Sequence, residues 1–335
     1  MRRFLCENLH NAVDSGAEQQ YNMKSNLKMN FKMEAKMKKL CVLLGICLAL
    51  LGGCALAEGS VVATSFPCYD FARQVAGDEA EVQLLIPPGT EVHSYEPAPS
   101  DILAIGGADL FVYIGGESDA WVDGILESLG PDAPAAVRLI DSVAPLAEED
   151  SHGHAHEGVE FDEHIWTSPK NAVQMVRAVE EALCAALPES EAAFRANADA
   201  YAAEIERIDA ELTAIVESGV RRELVFADRF PFLYLAHDYG LEVHAAFASC
   251  TAETEPSAQT LVELIQIIES DGIPAVYTIE MSTGAIARTI AEETGVEILT
   301  LHSMQTVTQQ EFDAGETYVT LMERNLKALR KGLSA

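Results

Sequence analysis

From Phe194 through Ala198, Tyr201, Ile205, Ile208 and Leu212 to Ile215, apolar residues step alternately by four and three, and neither Pro nor Gly interrupts them before Gly219. That period lays one apolar stripe along a single α-helix. At 1.5 Å per residue the helix runs on the order of 40 Å, long enough to bridge two lobes. The spacing also satisfies a coiled-coil heptad, so a dimeric seam is the alternative. Only about three heptads are present, however, and the chain on either side favours a spine packed within one molecule.

On both sides of this helix, short β-branched runs alternate with amphipathic stretches, the pattern of parallel α/β sheets. In the first block 60–65, 81–86, 109–114 and 136–140 read as strands, and 68–76, 99–106 and 119–129 as helices. In the second, 223–227, 241–247, 275–279 and 296–301 read as strands, with helices between and after them. The predicted fold is therefore α/β: two lobes with parallel sheets, residues 58–189 and 220–335, joined by one long rigid helix over 190–219.

Residues 1–57 read differently. Lys24, Lys28, Lys32, Lys36, Lys38 and Lys39 precede the apolar run from Leu40 to Leu51, the layout of an export signal. The run is about a dozen residues, short of the roughly 20 that a spanning helix needs, and small residues follow it, so cleavage is expected. Leu51-Gly52-Gly53-Cys54 resembles a bacterial lipobox, in which Cys54 is acylated and, as the new amino terminus, holds the protein on the outer face of the cell membrane. Cleavage after Ala55-Leu56-Ala57 is the alternative and gives a periplasmic or secreted soluble protein. Met37 or Met33 is the expected start of translation. After Cys54 the thiols are Cys68, Cys184 and Cys250; three cannot all pair, and buried free thiols are the default over a Cys68 to Cys250 bridge.

Acidic residues outnumber basic ones, 53 to 22, which argues against a surface built to neutralise nucleic-acid phosphates. The excess suits traffic in cations, and equally a solvated surface that keeps a protein soluble. Histidine placement is more informative. His152, His154 and His156 lie in Ser151-His152-Gly153-His154-Ala155-His156-Glu157-Gly158, with His164 close behind. Small polar residues there let the imidazoles turn toward a borderline-soft cation such as zinc without holding a fixed geometry. The segment 151–158 therefore reads as a loop that captures metal, with a solvated linker as the bland alternative.

Open α/β sheets bind ligands beyond the carboxyl ends of their strands. His93 follows the strand 81–86 through the turn-rich Pro87-Pro88-Gly89-Thr90; Asp228 closes 223–227, Glu280 closes 275–279 and His302 closes 296–301. Glu280 reads as a ligand or as an acceptor that orients one. His164 lies in Asp162-Glu163-His164-Ile165-Trp166, ahead of Ser168 as N-cap and Pro169 in the first turn of a helix. A lone His is more often structural than ligating, and it is the convergence of several at strand ends that carries the assignment. His237, in the helical stretch 233–239, and His244, inside a strand, read as structural or surface residues.

At these residues the sequence resembles the metal-binding components of ABC-type zinc and manganese uptake systems, the metal-specific solute-binding or adhesin-like lipoproteins. The likeness rests on Pro88-Gly89-Thr90-Glu91-Val92-His93-Ser94-Tyr95-Glu96-Pro97, Ala108-Asp109-Leu110, the His-rich loop, Glu163-His164-Ile165-Trp166-Thr167-Ser168-Pro169, Glu255-Pro256-Ser257 and the stretch from Tyr318 to Leu326. It implies one metal in the interlobe cleft, held by both lobes and delivered by a lipid-anchored monomer to the membrane permease of an ABC importer. His93 and His164 match the two amino-lobe ligands. The segment that supplies a third His or Glu in the family is here Ala227-Asp228-Arg229-Phe230-Pro231-Phe232. An ungapped alignment puts Arg229 at the ligand position, but a guanidinium has no lone pair to give, and Asp228 is the substitute. His302 takes the usually acidic fourth position, and Glu280 and Glu163 are expected to orient ligands. Three imidazoles and a carboxylate suit tetrahedral Zn2+; Mn2+, which prefers more oxygen ligands, is the alternative.

Two other functions compete with carriage. An exported zinc hydrolase would use the same residue types, but no His-Glu-x-x-His, Gly-x-Ser-x-Gly or phosphate-loop pattern is present, and Gly106-Gly107 and Gly115-Gly116 are too weak to suggest nucleotide binding. A surface adhesin with a structural metal is the other; exchange of metal without unfolding separates a carrier from it.

Overall fold

The computed structural model describes residues 59–147, 161–247 and 256–334. The leader with Cys54, the loop with His152, His154 and His156, and Cys250 lie outside those residues.

The first sheet contains β1 (Gly59–Ala63), β2 (Ala80–Leu84), β3 (Leu110–Tyr113) and β4 (Ala135–Arg138), all parallel, in the order β2-β1-β3-β4. The second repeats the plan with β5 (Glu223–Phe226), β6 (Glu242–Ala245), β7 (Ala275–Ile279) and β8 (Glu297–Leu301) in the order β6-β5-β7-β8. The helices are α1 (Phe66–Ala76), α2 (Pro99–Gly106), α3 (Trp121–Leu129), α4 (Pro169–Ala186), α5 (Glu191–Ser218), α6 (Leu233–Tyr239), α7 (Ala258–Asp271), α8 (Ala285–Thr294), α9 (Gln309–Asp313) and α10 (Tyr318–Ser334). None among the described residues is long and apolar enough to cross a membrane.

Strands covered on both faces need nearly continuous apolar runs, which Val61-Val62-Ala63, Leu110-Phe111-Val112 and Leu224-Val225-Phe226 supply. Successive side chains then serve different layers. Val61, Ala63, Leu110, Val112, Leu224, Phe226 and Tyr277 join one core that runs through both lobes. Val62, Phe111 and Tyr113 pack with Ile105, Val122 and Ile125 of α2 and α3, and Val225 and Val276 with Leu264, Ile268, Ala287 and Ile290 of α7 and α8.

The expected spine is α5: Phe194, Ala198, Tyr201, Ile205, Ile208, Leu212 and Ile215 are all buried in the shared core. The Tyr201 hydroxyl donates to Asp70 Oδ2 at 2.5 Å, which also accepts the Tyr318 N–H at 2.8 Å, while Arg73 Nε donates to Asp70 Oδ1 at 3.0 Å. Those donors satisfy a fully buried carboxylate and tie α1, the spine and α10 together. Nearer the cleft, Trp166 Nε1 donates to Ser303 O at 2.7 Å and the Tyr234 hydroxyl to Asp162 O at 2.7 Å, so the lobes are also stitched at their facing edges.

Two local expectations are corrected. The helix expected over 119–129 is split into a 3-10 turn at Glu117–Asp119 and α3, because the Asp119 carboxylate accepts the N–H groups of Ile114 (2.8 Å) and Gly115 (3.1 Å) and closes the turn after β3. Ser168 has the extended backbone of an N-cap, but its side chain does not cap α4; the hydroxyl donates to Asp238 Oδ2 at 2.5 Å.

Candidate metal centre

In both sheets the strand order reverses between the first and third strands, and that switch point opens a crevice beyond their carboxyl ends. A cavity of about 430 Å3 lies there, lined from the amino lobe by Glu91 and His93 and from the carboxyl lobe by Asp228, Arg229, Glu280 and Gln305.

On the amino side His93, Glu163 and His164 bring their donor atoms within 4.8 Å of one another, with the two imidazole centroids 5.6 Å apart. His93 arrives through a turn in which Thr90 N–H bonds Pro87 O at 3.1 Å and Gly89 takes φ 78°, a conformation that suits Gly. Its Nδ1 lies 2.8 Å from Ser118 Oγ and 3.2 Å from Glu163 Oε1, and its Nε2 lies 2.9 Å from the Gln305 side-chain nitrogen of the carboxyl lobe. His164 is buried, with Nδ1 3.2 Å from Asp162 Oδ1, the same oxygen that accepts the His164 N–H at 2.8 Å. Each imidazole thus has a carboxylate at Nδ1, the arrangement that fixes the tautomer and strengthens Nε2 as a donor to metal.

Glu163 is the hub of this side. Its carboxylate accepts the Ser118 N–H at 2.9 Å and the Ser118 hydroxyl. Burial alone would raise its pKa, but the His93 hydrogen bond, the charge of His164 and the Ser118 donors outweigh that and hold it at about 2. Asp119 goes the other way: burial, aided by the Glu163 charge and opposed by the Gly115 and Ile114 N–H groups, pushes it up to about 6. Gly116 makes the packing feasible, since a Cβ there would lie 2.2 Å from both Glu163 Cβ and Oε2.

On the carboxyl side Asp228 is 9% exposed; Oδ1 accepts the Arg229 N–H at 2.9 Å, and Oδ2 is buried with no hydrogen-bond partner among the described residues. His302 closes β8, pinned by Asn325, whose Oδ1 accepts the His302 N–H at 2.7 Å and whose Nδ2 donates to its carbonyl at 2.9 Å. His302 Nδ1 accepts the Met304 N–H at 3.0 Å, which in a neutral ring puts the proton on Nε2. That Nε2 is also buried without a hydrogen-bond partner, 3.7 Å from Glu311 Oε2. Glu280 accepts the Ser303 N–H at 2.6 Å and the Ser303 hydroxyl, and its Oε2 is 3.8 Å from His302 Nδ1. Met281 and Met304, beside these residues, hold positive φ of 56° and 63°, strain of the kind that collects at functional sites.

The structure therefore brings His93, Glu163 and His164 together, and of these His93 lines the same crevice as Asp228 and Glu280, whereas Glu163, His164 and His302 lie outside that lining. His237 is exposed beside Asp238, and His244 lies within β6; neither lines the cavity. Sequence reasoning missed Ser118, Asp162 and Gln305. Asp162, two residues before His164, carried a local signal in its capacity to bond its neighbour's backbone; Ser118 and Gln305 carried none.

The family model described as zinc-uptake complex component A, periplasmic, matches residues 61–332. Zinc-binding lipoprotein AdcA of Streptococcus pneumoniae is 34% identical over 306 residues, which cover 88% of this chain and 61% of the relative, so the chain spans less than two thirds of that protein. High-affinity zinc uptake system protein ZnuA of Bacillus subtilis is 28% identical over 279 residues, covering 82% of this chain and 87% of its own. Among solved structures, the Zn(II)-bound ZnuA-like domain of S. pneumoniae AdcA matches with a TM-score of 0.71 at 33% identity, over 83% of this chain and all of that domain. The chain belongs to the zinc-uptake complex component A (ZnuA) family.

Proposed function

We propose that the chain is the extracytoplasmic capture component of a metal uptake system, binding one divalent transition metal, zinc ahead of manganese, between its lobes and passing it to the membrane permease of an ABC importer. The observation that carries the reading is the pairing of half-buried His93 with buried His164, each with Nδ1 turned to a carboxylate. The zinc-bound structure and zinc-named relatives support zinc as the cargo. Asp228, with its unpartnered Oδ2 at the switch point, is the proposed third ligand.

His302 is the proposed fourth. It becomes a donor when its ring turns, exchanging the Met304 N–H at Nδ1 for the Glu280 carboxylate, so that Nδ1 carries the proton and Nε2 the lone pair. The same loop carries Gln305 against His93 Nε2, and its movement would clear that atom. Three imidazoles and one carboxylate fill a tetrahedral zinc shell and keep no position for a reacting water, which favours carriage over hydrolysis. Acylation at Cys54 would hold the protein beside its permease, and 151–158 would raise the local metal concentration.

Growth tests this directly. Cells lacking the gene and starved with a zinc chelator should recover with the wild-type chain and not with His164→Ala; equal recovery by both contradicts the reading. A zinc-edge X-ray absorption spectrum of the loaded protein should show four N/O neighbours near 2.0–2.1 Å, mostly imidazole. Ester hydrolysis by the purified protein, abolished by chelator, would instead favour the hydrolase.

A further inference from the structure

The cavity facing His93 is lined by three carboxylates, those of Glu91, Asp228 and Glu280, and by one guanidinium, that of Arg229. Arg229 brings a guanidinium, a cation with no lone pair to give a metal, so the cleft holds a positive charge where a cation is to bind. The backbone that presents it is firmly set. Phe226 packs on Phe230 and Phe232 with centroids 5.1 and 5.5 Å apart, Ala227 N–H bonds Tyr277 O at 2.9 Å, and Arg229 N–H bonds Asp228 Oδ1 at 2.9 Å. The side chain, 40% exposed, reaches across to the amino lobe and meets Glu91 Oε2 at 3.2 Å. That single contact between two solvent-exposed groups is of the weak, screened kind and opens readily. The guanidinium offsets the charge of the carboxylates, yet Oδ2 of Asp228, its neighbour in sequence, is buried with no hydrogen-bond partner among the described residues.

We infer that Arg229 limits the metal affinity of the cleft and sets the rate of release: it is a resident cation that an arriving divalent ion displaces from Glu91, and that returns as the ion leaves. The inference rests on the metal site proposed above and adds its regulation. A unit charge several ångströms from a divalent ion lowers affinity by about tenfold even with near-aqueous screening, and by more in a drier cleft. Such a residue suits a carrier, which has to hold its cargo and then give it up.

The test uses the full-length, chelator-stripped protein, with zinc affinity read by competition against a chromophoric chelator and release read by stopped-flow mixing with excess EDTA. Arg229→Met should bind zinc about tenfold or more tightly and release it correspondingly more slowly, whereas Arg229→Lys, which keeps the charge, should stay within about threefold of wild type. Glu91→Gln, which frees the guanidinium while removing a carboxylate, should weaken binding. Melting temperatures of the metal-free Arg229 variants should match wild type, separating a charge effect from a folding one. Equal or weaker binding by Arg229→Met overturns the inference. So does a shift of Arg229→Met and Glu91→Gln in the same direction, which would make the ion pair a strap between lobes. If every form binds zinc with one affinity, only the role of Arg229 falls; if none binds zinc, the metal site falls with it.

Discussion

Gly116→Ala should damage the metal centre although residue 116 donates nothing to a metal. A Cβ at this position would stand 2.2 Å from Glu163 Cβ and 2.2 Å from Glu163 Oε2. The near atom at Cβ is not the end of a flexible chain, so Glu163 has to move with its backbone, which disturbs its contacts with Ser118 and His93. Overpacking of this sort costs about 1–3 kcal/mol, and at about 2–4 °C per kcal/mol for a chain of this size Tm should fall on the order of 5 °C. Removing the group that orients a metal-binding imidazole should also weaken zinc affinity by about 10- to 100-fold. Gly124→Ala is the control: nothing lies within 4 Å of its Cβ, so affinity should hold and stability should rise by about 0.5–1 kcal/mol. Calorimetry and competitive zinc titration on both variants decide the matter. A Gly116→Ala protein that melts lower but binds zinc like wild type would refute the claim that Glu163 orients His93.

Other perturbations separate the parts of the account. His164→Ala should abolish tight zinc binding while deletion of 151–157 leaves one high-affinity site and slows capture only; equal loss from both would refute that division. Zinc affinity should fall from pH 7 to pH 5, because the imidazoles have to be neutral to ligate while Glu163, held at about 2, stays ionised throughout; a flat titration profile contradicts this. Asp119 has a folded pKa of about 6 against an ordinary 3.8, so its contribution to the stability of the metal-free protein is gained as pH falls through 6 toward 3.8 and lost as pH rises through 6. The full swing is roughly 3 kcal/mol. Asp119→Asn should flatten it in chemical denaturation between pH 7 and pH 4, and an unchanged pH profile would show that another group titrates there.

Much of the fold was legible in the sequence because its signals are periodic. The four-three stripe of α5 and the apolar strands 275–279 and 223–227 announce themselves through burial on a fixed repeat, and every stripe residue from Phe194 to Ile215 is buried. The site was legible only where chemistry and topology coincide. His93, Asp228 and Glu280 stand at strand ends that topology gathers into one crevice, and they could be picked out without coordinates. Pairwise contacts across the lobes have no period, so Gln305 on His93 and Trp166 on Ser303 left no trace in the sequence. Within Gly115-Gly116, weak as a nucleotide signal, Gly116 turned out to make room for a carboxylate, a demand visible only once Glu163 has a position. The orientation of His302 was equally hidden, since it depends on the positive φ of Met304 and the N–H that this turn presents to Nδ1.

The most direct test of the central claim is competitive titration of the chelator-stripped protein with zinc, then manganese, nickel and iron(II), alongside elemental analysis of the protein as purified. The protein should bind one tight zinc per chain, with weaker additional binding that disappears with 151–157, and should lose the tight site in both His93→Ala and His164→Ala. A tight site for a different metal would keep the carrier and change its cargo; no tight site at all would contradict the account.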